Sequence, residues 1–237
     1  MVRHFGVLIP ATNTTVEIEY SRLLPEELQG HYARLGKDGP TPFSPSKTAD
    51  VIYQSQMLGQ AKVEAIALAQ TSASLFSDDY DAVTMRQMHA GSGAPAITSA
   101  VAIGRAVRAL GLRRIALVTP YSPDAIGRAK RLFETQHGLD VVAMEGFDAN
   151  DSYAIGAIGP EYARDAFLRL NAPEIEAFVV PGGNFPTMRH VAGWEAAFAK
   201  PVITTNGAAL WAMIGMMGAP TTLPGLGRLL EQMPPTP

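Results

Sequence analysis

The chain has 237 residues, 47% of them hydrophobic and 17% charged, and a formal net charge of −3. That length buries a full core, the apolar fraction excludes a disordered chain, and the lack of a basic excess leaves no electrostatic footprint for nucleic acid. There is no cysteine, which excludes disulfides, thiolate metal sites, iron–sulfur clusters and every cysteine nucleophile.

The first predicted element is a strand over Phe5–Ile9 (FGVLI), too short an apolar run for a signal peptide, followed by a helix over 15–24. A second helix is expected over Ser44–Gly59, opening after the Pro-rich loop Gly39–Pro45. Ala65–Leu68 reads as a strand and Thr71–Phe76 as the start of a helix, with Arg86–Gly93 a loop before the strand that follows Pro95. Ser99–Leu110 is apolar at helical spacing and stops at Gly111. Ile115–Val118 then precedes a helix over Pro123–Gln136, announced by Ser122-Pro123-Asp124: a cap, a proline in the first turn and an acid. Val141–Met144 leads through a loop to a helix over Pro160–Leu170, Phe178–Val180 to one over Pro186–Ala199, and Val202–Thr204 to one over Asn206–Met217. Trp194 and Trp211 fall at apolar helical positions and read as core.

These apolar runs are short, β-branched and do not alternate, the pattern of strands buried on both faces. Helices between them imply βαβ units and a mainly parallel α/β fold. The strand–turn–helix unit recurs, which divides the chain into two similar lobes, 1–110 and 111–205, with the segment 206–237 returning to complete the first. The weakly polar stretch Gly207–Pro220 is too short to span a bilayer, so no membrane partner is expected and a cytoplasmic location is.

In open parallel sheets ligands sit beyond the carboxyl ends of the strands. Four such ends carry compact polar turns: Pro10–Thr15 with Asn13, Gln70-Thr71-Ser72, Thr119–Ser122 with Tyr121, and Pro181-Gly182-Gly183-Asn184. Each leads into a helix N-terminus, whose free N–H groups favour an anion. Hydroxyls, amides and glycines at these turns make a neutral cradle for a small carboxylate, although at any single turn Thr, Ser or Asn is equally an ordinary helix cap. No GxxxxGK[ST] and no strand-following GxGxxG occurs, so no nucleotide cofactor is expected. The histidines His4, His31, His89, His137 and His190 lack paired metal-ligand spacing, so no metal is expected either.

The segments GVLIPATNTTVEIEY, ALAQTSASL, RALGLRRIALVTPYSPDA, VVPGGNFPT, KPVITTNGAALW and LPGLGRLL, in this order, resemble the aspartate/glutamate racemase superfamily, in particular its maleate isomerase and arylmalonate decarboxylase branch. The resemblance implies two pseudo-symmetric lobes, each with a four-stranded sheet flanked by helices, and an active site between them. It also implies that Pro10, Asn13, Thr71, Ser72, Tyr121, Gly182, Gly183 and Asn184 surround a carboxylate substrate. The family's two catalytic cysteines fall on Gln70 and Gly182, so two-thiol racemisation and thiolate addition are both excluded here. Gln70 is then expected to hydrogen-bond substrate, and the acid/base candidates are Tyr121, His89, Glu17, Asp124 and Asp151, His89 for its pKa near neutrality. Restoring a thiol through Gly182→Cys is expected to bring back arylmalonate decarboxylation.

These features point to a cofactor-independent enzyme that acts on a small carboxylic acid through an enolate-stabilising pocket, decarboxylase- or isomerase-like, without cysteine. Hydrolysis of a hydantoin-like ring and non-catalytic binding of a small carboxylate are the alternatives. The sequence leaves open which substrate is used and whether the chain forms a homo-oligomer.

Overall fold

The computed structural model describes residues 2–41, 43–149, 151–219 and 221–235; Pro42 of the Pro-rich loop and Pro220, which ends the long apolar stretch, lie outside the described residues. Among the described residues, eight strands form two separate parallel sheets of four. The first comprises β1 (Arg3–Pro10), β2 (Leu28–Leu35), β3 (Ala65–Leu68) and β4 (Ala96–Thr98), in the order β2-β1-β3-β4. The second comprises β5 (Arg114–Thr119), β6 (Asp140–Gly146), β7 (Ala177–Val180) and β8 (Val202–Thr204), in the equivalent order β6-β5-β7-β8. The repeated order is the pseudo-symmetry, and the fold is α/β with two four-stranded sheets flanked by helices.

The inner strands match their apolar runs: β3 and β7 are buried at every residue, and β5 at all but its first. The edge strand β2 (LQGHYARL) is not among the predicted elements. An edge strand has only one neighbour, so it keeps polar residues and shows no continuous apolar run, yet it pairs with β1 along its whole length, from Arg3↔Leu28 to Pro10↔Leu35.

The connecting helices are α1 (Val16–Leu23), α2 (Thr48–Gln60), α3 (Tyr80–Ser92), α4 (Ser99–Ala109), α5 (Pro123–His137), α6 (Pro160–Leu170), α7 (Val191–Phe198), α8 (Thr205–Met217) and α9 (Arg228–Gln232). Two expectations change. The segment Arg86–Gly93 is not a loop but the end of α3, whose buried stripe is Asp81, Thr84 and Met88 and therefore carries little apolar periodicity. The second helix starts at Thr48 rather than Ser44, because the chain before it folds back: Lys37 bridges Ser46 in antiparallel fashion and Asp38 N–H donates to the Pro45 carbonyl (2.8 Å). Residues 36–41 and 43–47 thus belong to a flap between β2 and α2. The helix expected from Thr71 is a short 3-10 turn, Thr71–Leu75, and the one expected over Pro186–Ala199 opens with a 3-10 turn, Met188–His190, ahead of α7.

One apolar core spans both sheets, joining Phe5, Val7 and Ile97 to Ile115, Leu117 and Phe133 through α8, which packs on α4 and β3. Trp211 of α8 and Trp194 of α7 are both buried, as read from the sequence. Among the described residues no helix is long and apolar enough to cross a membrane.

Candidate active site

The carboxyl ends of β1, β3, β5 and β7 converge on a cavity of about 390 Å³, within the range that holds small ligands. Pro10 and Asn13 border it after β1, Gln70, Thr71 and Ser72 after β3, Tyr121 after β5, and Gly182, Gly183 and Asn184 after β7. These nine residues singled out in the sequence therefore meet in one place, together with Asp151 of the acid/base candidates. His89 does not join them. It lies near the C-terminal end of α3, exposed, with Nδ1 2.9 Å from the Ala94 carbonyl just ahead of β4. In a parallel sheet that is the end opposite the cavity, so the expected acid/base role has no geometric basis.

Several side chains sit in the cavity wall but serve a different purpose from the one expected. Gln70 does not face a ligand with a free amide: its Oε1 accepts from Ser46 Oγ (2.6 Å) and its Nε2 donates to the Ser44 carbonyl (3.0 Å). It latches the flap to the end of β3. Asn184 is a cross-link between halves. Its Oδ1 accepts from Thr14 N–H (2.8 Å) and its Nδ2 donates to the Ser152 carbonyl (2.8 Å). Thr71 Oγ1 belongs to a buried hydroxyl chain, 2.9 Å from Ser99 Oγ and 3.0 Å from Thr205 Oγ1, which in turn accepts from Gly182 N–H (2.8 Å). Asn13 Oδ1 accepts from the N–H groups of Thr15 and Val16, both at 3.0 Å, and so caps α1.

What remains to meet a ligand is a set of neutral donors. Among the described residues the backbone N–H groups of Thr71, Ser72, Gly183 and Asn184 have no protein acceptor, and neither do Ser72 Oγ nor Asn13 Nδ2. The two pairs of N–H groups come from the two halves, Thr71–Ser72 from the first and Gly183–Asn184 from the second. Tyr121 adds a phenol. Burial pushes its pKa well above the ordinary value, opposed only weakly by the Thr71 hydroxyl, so it stays protonated and acts as a donor rather than a base.

The flap supplies the roof. Phe43 sets its ring 5.1 Å from that of Tyr121, reaching from the first half across to the second, and Lys37 and Ser46 also border the cavity. Lys37 and Asp151 are the ionisable side chains of the lining besides Tyr121, among the described residues. Lys37 went unread in the sequence because a lone lysine in a polar loop carries no signal. The other acid candidates are engaged on the surface: Glu17 pairs with Arg34, and Asp124 with Arg128 one helical turn on.

The latch yields a direct expectation. Gln70→Ala removes both bonds to the flap, which should loosen it locally by about 1–2 kcal/mol. Hydrogen exchange of residues 36–47 should accelerate, at the Asp38 and Lys47 amides above all, while β1 and β3 keep their protection. Unchanged exchange in the flap would show that Phe43, not Gln70, holds it.

The sequence profile of the family described as arylmalonate decarboxylase matches residues 5–230. Maleate isomerase from Nocardia farcinica is 27% identical, over 98% of this chain and 96% of that protein. Arylmalonate decarboxylase from Bordetella bronchiseptica is 23% identical, over 96% of each. A structure of a Nocardia farcinica maleate cis-trans isomerase variant, carrying a covalently bound succinylcysteine intermediate, superposes with a TM-score of 0.84 at 26% identity over 98% of this chain and 99% of that one. A maleate-bound variant of the maleate isomerase Iso from Pseudomonas putida S16 shares the fold, with a TM-score of 0.87 at 24% identity and 98% coverage of both chains. That succinylcysteine marks a cysteine as the reacting residue in the Nocardia enzyme, and this chain has none. With the family profile spanning both sheets and every strand end around the cavity, the chain belongs to the arylmalonate decarboxylase family.

Proposed function

We propose that this protein is a cofactor-independent lyase or isomerase that binds a small carboxylic acid between its halves and stabilises an enediolate-like intermediate without a thiol. The observation that carries the reading is the two N–H couples without a protein acceptor that line the cavity, Thr71–Ser72 and Gly183–Asn184, together with the Ser72 and Tyr121 hydroxyls. A carboxylate takes up such donors, and they strengthen as charge builds on its oxygens during loss of carbon dioxide or of an α-proton. The relatives' names, maleate isomerase and arylmalonate decarboxylase, give the substrate class: maleate-like or malonate-like diacids. In this reading the halves are 1–110 and 111–205, with 206–237 closing the first, and each half contributes one N–H couple.

Proton transfer falls to Lys37 or Asp151, because Gln70 is latched and Gly182 has no side chain. One feature favours a second reading. The deep donors are all neutral, which is also what a carboxylate-binding protein without catalysis would present.

Turnover separates the two. Maleate and phenylmalonate, incubated with the protein in deuterated water and followed by NMR, should give an isomerised, decarboxylated or deuterium-exchanged product. Tyr121→Phe should reduce turnover and weaken binding, by about 1.5–3 kcal/mol for one buried donor to a charged ligand, tenfold or more. Saturable binding without product supports the binding-protein reading, and no binding of either diacid overturns both.

A further inference from the structure

Glu19 is the least expected side chain near the site. It lies on α1, is 4% exposed, and plays no part in lining the cavity. Its Oε1 accepts from the N–H groups of Thr187 (2.7 Å) and Met188 (2.8 Å), and its Oε2 from Asn206 Nδ2 (2.7 Å). All three partners can only donate, so the arrangement fits the carboxylate and not the acid. Burial pushes the Glu19 pKa up, while these three donors, and more weakly the charge of Arg189, pull it back.

Asn206 carries the effect onward. Its Nδ2 also donates to the Gly183 carbonyl (3.1 Å), so both of its N–H bonds are committed, while its Oδ1 is buried without a partner. The amide is thus oriented by two acceptors, Glu19 on one side and Gly183 on the other. A trans peptide sets the carbonyl of one residue antiparallel to the N–H of the next. Asn206 holds the Gly183 carbonyl from behind the turn, outside the cavity lining, and the Asn184 N–H therefore faces the cavity. Glu19 grips the same turn a second time at Thr187 and Met188.

We propose that Glu19 is the positioning residue of the Gly183–Asn184 donor couple, acting as an anion through Asn206 to aim the Asn184 N–H at the ligand. This rests on the carboxylate reading above only for the identity of the ligand; the relay itself is a property of the unliganded protein. Glu19→Gln is nearly isosteric but reverses the polarity. Its Nε2 must face a donor, either the Thr187–Met188 amides or Asn206, and if Asn206 turns to accept from it, Gly183 loses its donor.

The test is NMR on the full-length protein. In ligand-free Glu19→Gln, the Gly183 carbonyl carbon and the Asn184 amide should both shift, while Thr71 and Ser72 stay as in the wild type. On titration with phenylmalonate, the wild type should show all four amides responding, and Glu19→Gln should retain the Thr71 and Ser72 responses, lose that of Asn184, and bind about tenfold more weakly. A merely structural role would disturb both couples or neither. Asn206→Ala breaks the relay while leaving Glu19 its two backbone donors, so it should reproduce the pattern even if Glu19→Gln does not fold. Gly183 and Asn184 resonances unmoved in a folded variant overturn the proposal. If no amide in the wild type responds to phenylmalonate or maleate, the carboxylate reading fails, and the ligand-free spectra still decide the relay.

Discussion

Gly182→Cys is expected to destabilise the protein without producing decarboxylase activity. Gly182 has φ +134°, a region that side-chain-bearing residues rarely adopt, and a Cβ built there would stand 3.0 Å from both the Cγ and Cδ atoms of the Pro120 ring. A proline ring cannot rotate away. Backbone strain and overpacking together should remove about 3 kcal/mol, a fall in melting temperature of roughly 6–12 °C for a chain of this size. This weighs against the expectation drawn from sequence that a thiol at 182 brings back arylmalonate decarboxylation: in this chain the backbone at 182, and not only the missing sulfur, opposes a cysteine. A scan by calorimetry, with carbon dioxide release from phenylmalonate measured alongside, checks both halves of the statement. A variant that melts with the wild type and decarboxylates would mean that the turn relaxes freely.

Asn184→Ala should come next in size. The side chain joins Thr14, which follows β1, to Ser152, in the loop after β6, and its own carbonyl accepts from Thr15 Oγ1 at 2.7 Å. Truncation removes the partner of the Thr14 N–H and of the Ser152 carbonyl, the first on an exposed residue and the second on a half-buried one. Two poorly satisfied groups correspond to about 2–4 kcal/mol, less where cavity water replaces the amide. Because the lost bonds tie the first half to the second, diacid binding should weaken further than stability alone requires. Asn184→Asp separates the contributions: it keeps the acceptor for Thr14 and turns the other arm against the Ser152 carbonyl. Chemical denaturation and a phenylmalonate titration on both variants provide the check. Equal stability of Asn184→Ala and the wild type would place the cross-link elsewhere.

The residues that were legible in the sequence share a physical character. Strands buried on both faces are continuous apolar runs, so β1, β3, β5 and β7 are visible, and with them the turns at their carboxyl ends. Position alone brings nine of the residues singled out in the sequence around one cavity. Their roles do not follow from it, because a role depends on what lies opposite in space. Gln70 meets Ser44 and Ser46, and Asn184 meets Thr14 and Ser152, across separations that no local pattern reports. The caution that Asn is often only a cap holds for Asn13 Oδ1. His89 misleads for the opposite reason: an imidazole suits proton transfer wherever it sits, but this one lies at the end of the sheet opposite the cavity. Glu19 carries no signal in the sequence, and only the fold brings it to Asn206.

The flap between β2 and α2 gives the cavity a roof with a separate origin from its floor. The floor is made of strand ends and backbone amides, which any change in sheet geometry would ruin. The roof is a single surface excursion that adds Lys37, Phe43 and Ser46 and is tied to the end of β3 by one glutamine. Surface loops accept substitution and changes of length that buried strands do not. Divergence in what this site accommodates can therefore proceed by rewriting a dozen consecutive codons, and a chimera that exchanges only this excursion with a relative should change selectivity while leaving the floor of strand ends and backbone amides untouched.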